Sequence, residues 1–368
     1  MKISSIALCL CLSVLFLWHL PAHPAHARGP IRILAVESGP YLEYYHMLHG
    51  IAVRLQEKGF FNTVPPYEPK KNRAAALWKW MSEHSDSRLV FLKDGFYSGE
   101  WNAAWQNEIH QSVMNRLGKK RDVDVILALG TSAGQAMARL DTKVPVIVTS
   151  TTNAVEAGII PSAEDSGKDN LIALVDPARY QRQVEYFHEM MPFKRLGVVY
   201  EDTPTGKSTV SLKEIEAAAK KLSVEIVPCT AEKLYDIDTS IMADTLEACH
   251  RTLAEKNVDA VYLTFLSTLP PEQIPRVISQ LLEARIPNFS QTGEDEVKCG
   301  VLLGFVGDSF EEGRYAADVL LSISEGALPR SLSQRYRIPL QLAVNLETAA
   351  SIGWNPSLST LLDVSEFY

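Results

Sequence analysis

The segment Gly130-Thr131-Ser132-Ala133-Gly134 has the residue types and the spacing to do chemistry. It follows a strand-like apolar run and opens a helix-like segment, which is the context of the nucleophile elbow of hydrolases, where the central serine attacks a carbonyl carbon. That fold supplies its histidine late in the chain, but the last histidine here is His250, in a charged amphipathic segment that predicts a solvated side chain. Ser132 therefore lacks a base, and a Ser132 hydrolase is the lesser alternative.

The same segment has a second use as an anion-binding turn. The first backbone N–H groups of a helix have no partner within the helix, and the positive end of the helix dipole faces them. Small side chains let a ligand approach these groups closely. We therefore expect Thr131, Ser132 and Ala133 to hold a carboxylate or carbonyl group of a ligand.

A second segment, Gly206-Lys207-Ser208-Thr209, imitates the end of a phosphate-binding loop. The full motif requires glycine five residues before Gly206, where this chain has Glu201 followed by Asp202. Two carboxylates would repel a triphosphate, so a nucleotide hydrolase is not expected. Glu201 and Asp202 end a predicted strand at the edge where α/β sheets bind ligands. Each could receive an ammonium or hydroxyl group, or could be a solvated residue that caps the next helix.

These segments lie in a regular alternation of strand-like apolar runs and helix-length amphipathic runs, which is typical of parallel sheets covered on both faces. The predicted strands are 31–36, 89–92, 123–129, 144–149, 196–200, 224–229, 260–263 and 288–290, and the predicted helices are 41–58, 107–117, 132–140, 177–191, 210–222, 241–256 and 272–284. The pattern restarts after residues 171–175. The sequence therefore predicts two similar α/β lobes.

Residues 61–105 interrupt this rhythm with four tryptophans, Trp78, Trp80, Trp101 and Trp105. Tryptophan is mostly a packing residue, so the segment is expected to cover an end of the first lobe. A lid over a ligand is the alternative.

The N-terminus has the pattern of a secretory leader. Lys2 is followed by an apolar run over 6–20 and by Ala25-His26-Ala27, which predicts cleavage after Ala27 and a periplasmic protein. The 368 residues, less this leader, suffice for two domains. A net charge of −8 without a basic stripe argues against a nucleic-acid partner.

The cysteines outside the leader are Cys229, Cys249 and Cys299. They form no CxxC pair and have no histidine at metal-ligand spacing, so neither a metal site nor a cofactor is expected. The sequence favours three small buried or half-buried thiols, with one bridge at most.

In order and spacing, several landmarks resemble the substrate-binding proteins of ABC transporters related to the tryptophan- and tyrosine-binding proteins. The resemblance runs from about Val123 to the C-terminus, more weakly over 31–60. Its landmarks are Gly130 to Ala133, 144–149, Arg195 to Tyr200, 258–262, Ile286-Pro287, Gly304, Asp308, Gly313-Arg314 and 344–349. No landmark is specific alone, but together they indicate one fold.

The resemblance implies a type I periplasmic-binding-protein fold, with two doubly wound Rossmann-like lobes joined by three crossovers near 171–175, 301–306 and 330–339. The implied lobes are 28–174 plus 303–328, and 175–302 plus 329–368. It also implies a monomer without catalysis that closes on a small ligand and delivers it to a membrane permease. A ligand-sensing subunit that signals through a receptor is the alternative.

The implied ligand contacts lie in loops at strand carboxyl ends. They are Glu37, Ser38, Tyr41, Thr131, Ser132, Ala133, Thr151, Thr152 and Asn153 in the first lobe, and Glu201, Asp202, Thr203, Ser208, Thr264, Ser267, Gln291 and Thr292 in the second. Tyr41, Tyr44 or Tyr45 is expected to stack on the ligand. Relatives often carry aspartates where this chain has Leu266 and Thr292, so we expect the ligand either to lack a free α-amino group or to have it received by Glu201 or Asp202.

Overall fold

The structure is a computed structural model that describes residues 29–68, 74–234, 237–306, 308–337 and 341–368, with the backbone alone at 103–106 and 308. The predicted leader lies outside the described residues. Among the helices that are described, none combines the length and apolar character needed to cross a bilayer.

The first lobe contains, in the described part of the chain, a five-stranded parallel sheet with the order β2-β1-β3-β4-β5. Its strands are β1 (Ile31–Glu37), β2 (Leu89–Ser98), β3 (Val125–Leu129), β4 (Val146–Thr149) and β5 (Leu171–Ala173). The helices of this lobe are α1 (Leu42–Glu57), α2 (Ala74–His84), α3 (Ala103–Asn115), α4 (Thr131–Ala138) and α11 (Asp308–Glu325), with a π-helical turn at Arg116–Lys120. All residues of β3 and β4 are buried, because helices cover both faces.

The second lobe contains, over the described residues, a seven-stranded sheet with the order β12-β11-β10-β9-β8-β6-β7. Its strands are β6 (Arg195–Glu201), β7 (Glu225–Ala231), β8 (Ala260–Leu263), β9 (Asn288–Ser290), β10 (Leu303–Phe305), β11 (Leu342–Val344) and β12 (Val364–Phe367). Its helices are α5 (Arg179–Met190), α6 (Pro204–Thr209), α7 (Leu212–Leu222), α8 (Thr239–Glu255), α9 (Ile274–Glu283), α10 (Glu294–Lys298), α12 (Leu346–Ile352) and α13 (Leu358–Leu362), with 3-10 turns at Leu266–Thr268, Pro271–Gln273 and Pro329–Ser331. The pairing is parallel except between β10 and β11.

The two doubly wound lobes confirm the fold predicted from the sequence. Segments that pass between the lobes lie side by side: the Val175 N–H donates to Gln334 O at 2.8 Å, and the Val306 N–H donates to Gln341 O at 2.8 Å.

One boundary between the lobes differs from the prediction. β10 pairs with β9 and β11 in the second sheet, whereas the sequence placed residues 303–328 in the first lobe. A three-residue apolar strand does not reveal its sheet, because its neighbours are distant in sequence.

Helix α11 returns the chain to the first lobe by packing closely on α1. Two glycines permit this approach. A Cβ on Gly50 would lie 2.0 Å from Phe310 O, and a Cβ on Gly313 would lie 1.9 Å from Met47 O. The close packing fixes the first turn of α11 beside the first turn of α1.

The tryptophan-rich segment has two roles. Trp78 is buried in the first-lobe core and donates its indole N–H to Leu92 O, and Trp80 packs against the same core, so the packing role is confirmed for these two. Trp101 instead faces the space between the lobes. The Trp105 side chain lies outside the described residues.

The preference for unpaired thiols was wrong for two cysteines. Cys229 on β7 and Cys249 on α8 form a disulfide with their Cα atoms 5.6 Å apart, and Cys299 is a free, half-buried thiol. α8 follows β7 and packs on it, which brings together two cysteines separated by 20 residues. The spacing alone does not reveal this contact.

We expect loss of this disulfide to lower the free energy of unfolding by about 3 kcal/mol, since a closed loop of this length restricts the unfolded chain. Denaturant unfolding of Cys229→Ser/Cys249→Ser beside the wild type measures the change. Cys299→Ser is the matched control and should leave the midpoint within error. Equal midpoints for the double variant and the wild type would contradict the pairing.

Candidate functional site

A cleft with a volume of about 500 Å³ lies between the lobes. The carboxyl ends of strands from both sheets open into it, as α/β folds place their ligand sites. In the first lobe these are the ends of β1, β3 and β4, and in the second the ends of β6, β8 and β9. The first turns of α5 and α11 complete the lining.

The turn from β3 to α4 has the predicted strand-turn-helix form. Gly130 has a φ of 89°, and a Cβ there would lie 1.8 Å from the Tyr44 hydroxyl oxygen, so glycine is required. Ser38 secures the turn from β1: its hydroxyl donates to Leu129 O at 3.2 Å and accepts the Ala133 N–H at 3.1 Å.

This arrangement changes the predicted role of Ala133. Its side chain is buried and its N–H group is used by Ser38, so Ala133 lies outside the cleft lining. Thr131 and Ser132 do line the cleft at the start of α4. The positive end of the helix dipole therefore remains available at these two residues.

An aromatic cluster forms one wall of the cleft. The ring centroids of Tyr41 and Tyr44 are 5.2 Å apart, and Trp101 lies 6.1 Å from Tyr41 and 6.3 Å from Tyr44. Burial raises the pKa of both Tyr41 and Tyr44, so both phenols are neutral at physiological pH. This wall suits a flat apolar group. Tyr45 does not line the cleft and donates its hydroxyl to Pro66 O.

A carboxylate lies at the base of the cleft. Glu312 on α11 is 2% exposed, lines the cleft, and accepts the Ser150 N–H at 2.6 Å. Ser150 follows β4 with a φ of 53°, a left-handed conformation that aims its N–H group at Glu312. Beyond it, Asn153 accepts the Glu156 N–H at 3.0 Å and turns the loop along the cleft.

The loop after β6 differs from the prediction. Glu201 accepts the Thr203 hydroxyl at 2.9 Å and the Leu234 N–H at 3.0 Å, so its carboxylate holds the loop. Asp202 is 62% exposed and pairs with Lys207 at 2.6 Å. Thr203 caps α6 by accepting the Gly206 N–H at 3.0 Å. The loop reaches the cleft farther along, at Ser208 and its neighbours.

Other second-lobe residues are fixed from within that lobe. Gln291 donates its amide to Val210 O at 2.9 Å and lines the cleft. Thr264 is buried and donates to Val199 O at 2.6 Å, which leaves it outside the lining. Phe265, with a φ of 65°, faces the cleft instead.

Helix α5 contributes a cation and a ring. Its first residues, Arg179 and Tyr180, line the cleft, and the guanidinium carbon lies 5.4 Å from the Tyr180 ring centroid. The preceding Ala178 has a φ of 61°, which turns the chain sharply from the crossover into the helix.

Polar contacts join the lobes across the cleft and beside it. The hydroxyls of Tyr41 and Ser267 are 2.6 Å apart. His46 Nε2 is 2.9 Å from an Asp295 carboxylate oxygen. The Lys213 ammonium is 2.9 Å from Glu156 Oε1. The lobes are therefore closed on each other.

The structure brings most of the sequence-predicted site together. The predicted residues that line the cleft are Ser38, Tyr41, Thr131, Ser132, Thr151, Thr152, Asn153, Ser208, Ser267, Gln291 and Thr292. The predicted residues outside the lining are Glu37, Ala133, Glu201, Asp202, Thr203 and Thr264. Tyr44, one of the three tyrosines expected to stack on the ligand, also lines the cleft. Lining residues absent from the predicted set include Glu43, Trp101, Gln135, Ser150, Glu156, Arg179, Tyr180, Phe265 and Glu312. The only local signal for Arg179 and Tyr180 was their place at the start of the first helix after a crossover.

The site has features of binding. His250 is fully buried rather than solvated as predicted, its ring bonded to Val277 O at 2.8 Å, and burial lowers its pKa to about 4. It does not line the cleft that contains Ser132, so it is not placed to act as its base. Within the described ranges, no cluster of His, Cys, Asp and Glu has the geometry to hold a metal ion.

Comparison with known proteins agrees with this geometry. A family model described as ABC transporter substrate binding protein matches residues 96–357. The chain belongs to this family. A tyrosine-binding protein of Clostridioides difficile (strain R20291) is 26% identical over 211 residues, which cover 56% of this chain and 57% of that protein, so the match spans little more than half of the relative.

Solved structures show the same fold. A conserved domain protein from Vibrio cholerae has 22% identity and a TM-score of 0.67, covering 92% of this chain and 99% of that one. A Streptococcus pneumonia ABC domain in complex with L-Trp has 17% identity and a TM-score of 0.68, covering 92% of this substrate-binding protein and 100% of that chain.

Proposed function

We propose that this substrate-binding protein captures an aromatic α-amino acid between its lobes and delivers it to the membrane permease of an ABC importer. The observation that carries the proposal is the composition of the cleft. The rings of Tyr41, Tyr44 and Trp101 lie beside fixed charged groups in a volume of about 500 Å³. Small-molecule sites typically have this size and this mixture of apolar walls and few polar groups.

Each part of the ligand has a matching group in the cleft. Its ring packs on the aromatic wall, and its carboxylate is received by the start of α4 at Thr131 and Ser132, with Arg179 as the cation on the facing lobe. Its ammonium is received by Glu312, because a buried ammonium requires a carboxylate partner. Glu312 takes the role that the sequence suggested for Glu201 or Asp202, because the oxygens of those two residues hold the loop after β6.

The named relatives support this ligand class. The Clostridioides difficile relative is a tyrosine-binding protein, and the Streptococcus pneumonia structure contains L-Trp. Membership of this family supports delivery to a permease. We infer binding without catalysis, because His250, the last histidine in the sequence, is buried against Val277 and does not line the cleft.

We also infer that the protein works in the periplasm after cleavage behind Ala27. Members of this family are typically extracytoplasmic. The disulfide between Cys229 and Cys249 supports an oxidising compartment independently, because such bonds are rare in the reducing cytosol.

A thermal-shift comparison of L-tyrosine, L-tryptophan, L-leucine and 4-hydroxybenzoate tests the proposal. We expect the two aromatic amino acids to raise the midpoint most, because a ligand at a hundredfold excess over Kd stabilises the native state by about 2.7 kcal/mol. The result that would overturn the proposal is an unchanged midpoint with all four compounds, together with p-nitrophenyl acetate hydrolysis that Ser132→Ala abolishes.

A further inference from the structure

We propose that closing the two lobes takes up protons, so that this protein holds its ligand more tightly in mildly acidic than in mildly alkaline surroundings. The proposal rests on the proposed function for its affinity readout and concerns the regulation of the same cleft. It is carried by a cluster of acidic and imidazole groups that the two lobes enclose together.

Glu43, His46 and Asp295 line a second cavity of about 350 Å³ between the lobes, and Glu296 lies next to Asp295 on α10. The first lobe contributes α1 and the start of α11, and the second contributes α10. Glu43, Thr292 and Ser309 line both this cavity and the ligand cleft. Since the walls belong to different lobes, opening the cleft would also open this cavity to water.

Two buried carboxyl groups lie in this region on opposite lobes, near enough for the charge of Glu43 to raise the pKa of Glu296. Glu43 on α1 accepts the Ser309 hydroxyl at 2.5 Å, and Glu296 on α10 accepts the Ser290 hydroxyl at 2.6 Å and is 3% exposed. Burial raises the pKa of Glu296 to about 7 against the opposing effect of its hydroxyl donors, and the charge of Glu43 adds to the rise. Burial likewise raises the pKa of Glu43. The closed state therefore favours protons on both.

His46 joins the lobes in the same place. Its Nε2 lies 2.9 Å from the Asp295 carboxylate. Burial acts to lower the pKa of His46, but the Asp295 hydrogen bond and the charges of Glu43 and Glu294 outweigh it, so the pKa is raised. The pKa of Asp295 is lowered, because its hydrogen bonds and charge interactions with His46 and Lys298 outweigh the effect of its burial. Closure thus favours the protonated imidazole as well.

Other charged and titratable groups also face this cluster. Lys298 pairs with Glu294 at 2.9 Å and with Asp295 at 3.1 Å. Arg179 faces Glu43 as a constant cation. Burial raises the pKa of Tyr41, raises the pKa of Tyr67 to about 12 and raises the pKa of the Cys299 thiol. Burial lowers the pKa of His49, and opening the cavity would raise it again, so this ring opposes the trend of the other groups.

The direction of the effect follows from linkage. When α1 and α10 separate, water reaches Glu43 and Glu296, and His46 loses Asp295. All three pKa values fall, so all three groups release protons on opening. The stabilisation of the closed state is complete below the open-state pKa values and is lost as pH rises through the closed-state values, near 7 for Glu296. Asp295 opposes this trend only in the acid range below its ordinary pKa of 3.8.

Titration calorimetry with L-tyrosine, in two buffers of different ionisation enthalpy, measures the protons taken up. We expect uptake of about half a proton or more per ligand near neutral pH, and a Kd about tenfold weaker at about pH 8 than at about pH 5.5. Glu296→Gln keeps a hydrogen-bonding side chain without a titrating group. It should reduce the uptake by about half and flatten the pH dependence.

Glu311→Gln is the matched control, because Glu311 is 46% exposed on α11 and should leave uptake and slope unchanged. Small-angle scattering of the ligand-free protein gives a readout that needs no ligand. We expect a smaller radius of gyration at the acidic pH in the wild type and in Glu311→Gln, and a weaker pH dependence in Glu296→Gln. Absence of L-tyrosine binding at every pH would count against the proposed function. A pH-independent radius and zero proton uptake, or full pH dependence in Glu296→Gln, would overturn proton-linked closure.

Discussion

Gly313→Ala is expected to lower the free energy of unfolding by about 3 kcal/mol, since the new methyl group would overpack a contact between two helix backbones. Its Cβ would lie 1.9 Å from Met47 O on α1. A carbonyl in a helix has no alternative rotamer, so α11 as a whole would have to move away. Ser309 and Glu312 lie in the adjoining turn and would move with it, so ligand affinity should fall too.

Denaturant unfolding followed by circular dichroism measures this effect. Gly118→Ala is the matched control: it lies in the π-helical turn, where an added Cβ would meet nothing within 4 Å. Alanine favours helical backbone over glycine, so this control should be neutral or slightly stabilising. If Gly313→Ala unfolded at the wild-type denaturant concentration, the close approach of α1 and α11 would be incorrect.

The parts of the fold that sequence predicted are those set by local pattern. Buried parallel strands such as β3 read as unbroken apolar runs, and the helices between them show amphipathic spacing. Pairing between distant segments leaves no such trace. β10 joins the second sheet through β9 and β11, and Cys249 meets Cys229 only because α8 packs on β7.

In the candidate site too, residues placed by local sequence pattern were predicted, and residues placed by contacts between distant segments were not. Ser38, Thr131 and Gln291 follow predicted strands. Parallel strands end at one edge of their sheet, so the sequence alone places these residues at the edge where ligands bind. Arg179 and Glu312 lie near the starts of helices that follow crossovers, so their positions depend on how the lobes are set against each other. Local hydrogen bonds account for the opposite error: Ala133 and Glu201 have the expected positions in sequence, but Ser38 and Leu234 occupy their polar groups.

Glu312→Gln should weaken L-tyrosine binding by about a hundredfold, because replacing the carboxylate leaves a buried ammonium without a countercharge, which costs roughly 3 kcal/mol. The Glu312 carboxylate is 2% exposed and oriented by the Ser150 N–H, so neither water nor rotation of the side chain can compensate. Glutamine retains the acceptor for Ser150. The change therefore isolates the charge.

The comparison that decides the point uses 3-(4-hydroxyphenyl)propionate, which has the ring and carboxylate of tyrosine without its ammonium. Glu312→Gln should bind this analogue at least as well as the wild type does, because the analogue brings no ammonium group for the Glu312 carboxylate to receive. Glu311→Gln, one residue earlier and 46% exposed, should leave both affinities unchanged. Glu201→Gln should do the same, because its carboxylate contacts Leu234 and Thr203. Equal losses for tyrosine and its analogue in Glu312→Gln would place the ammonium elsewhere in the cleft.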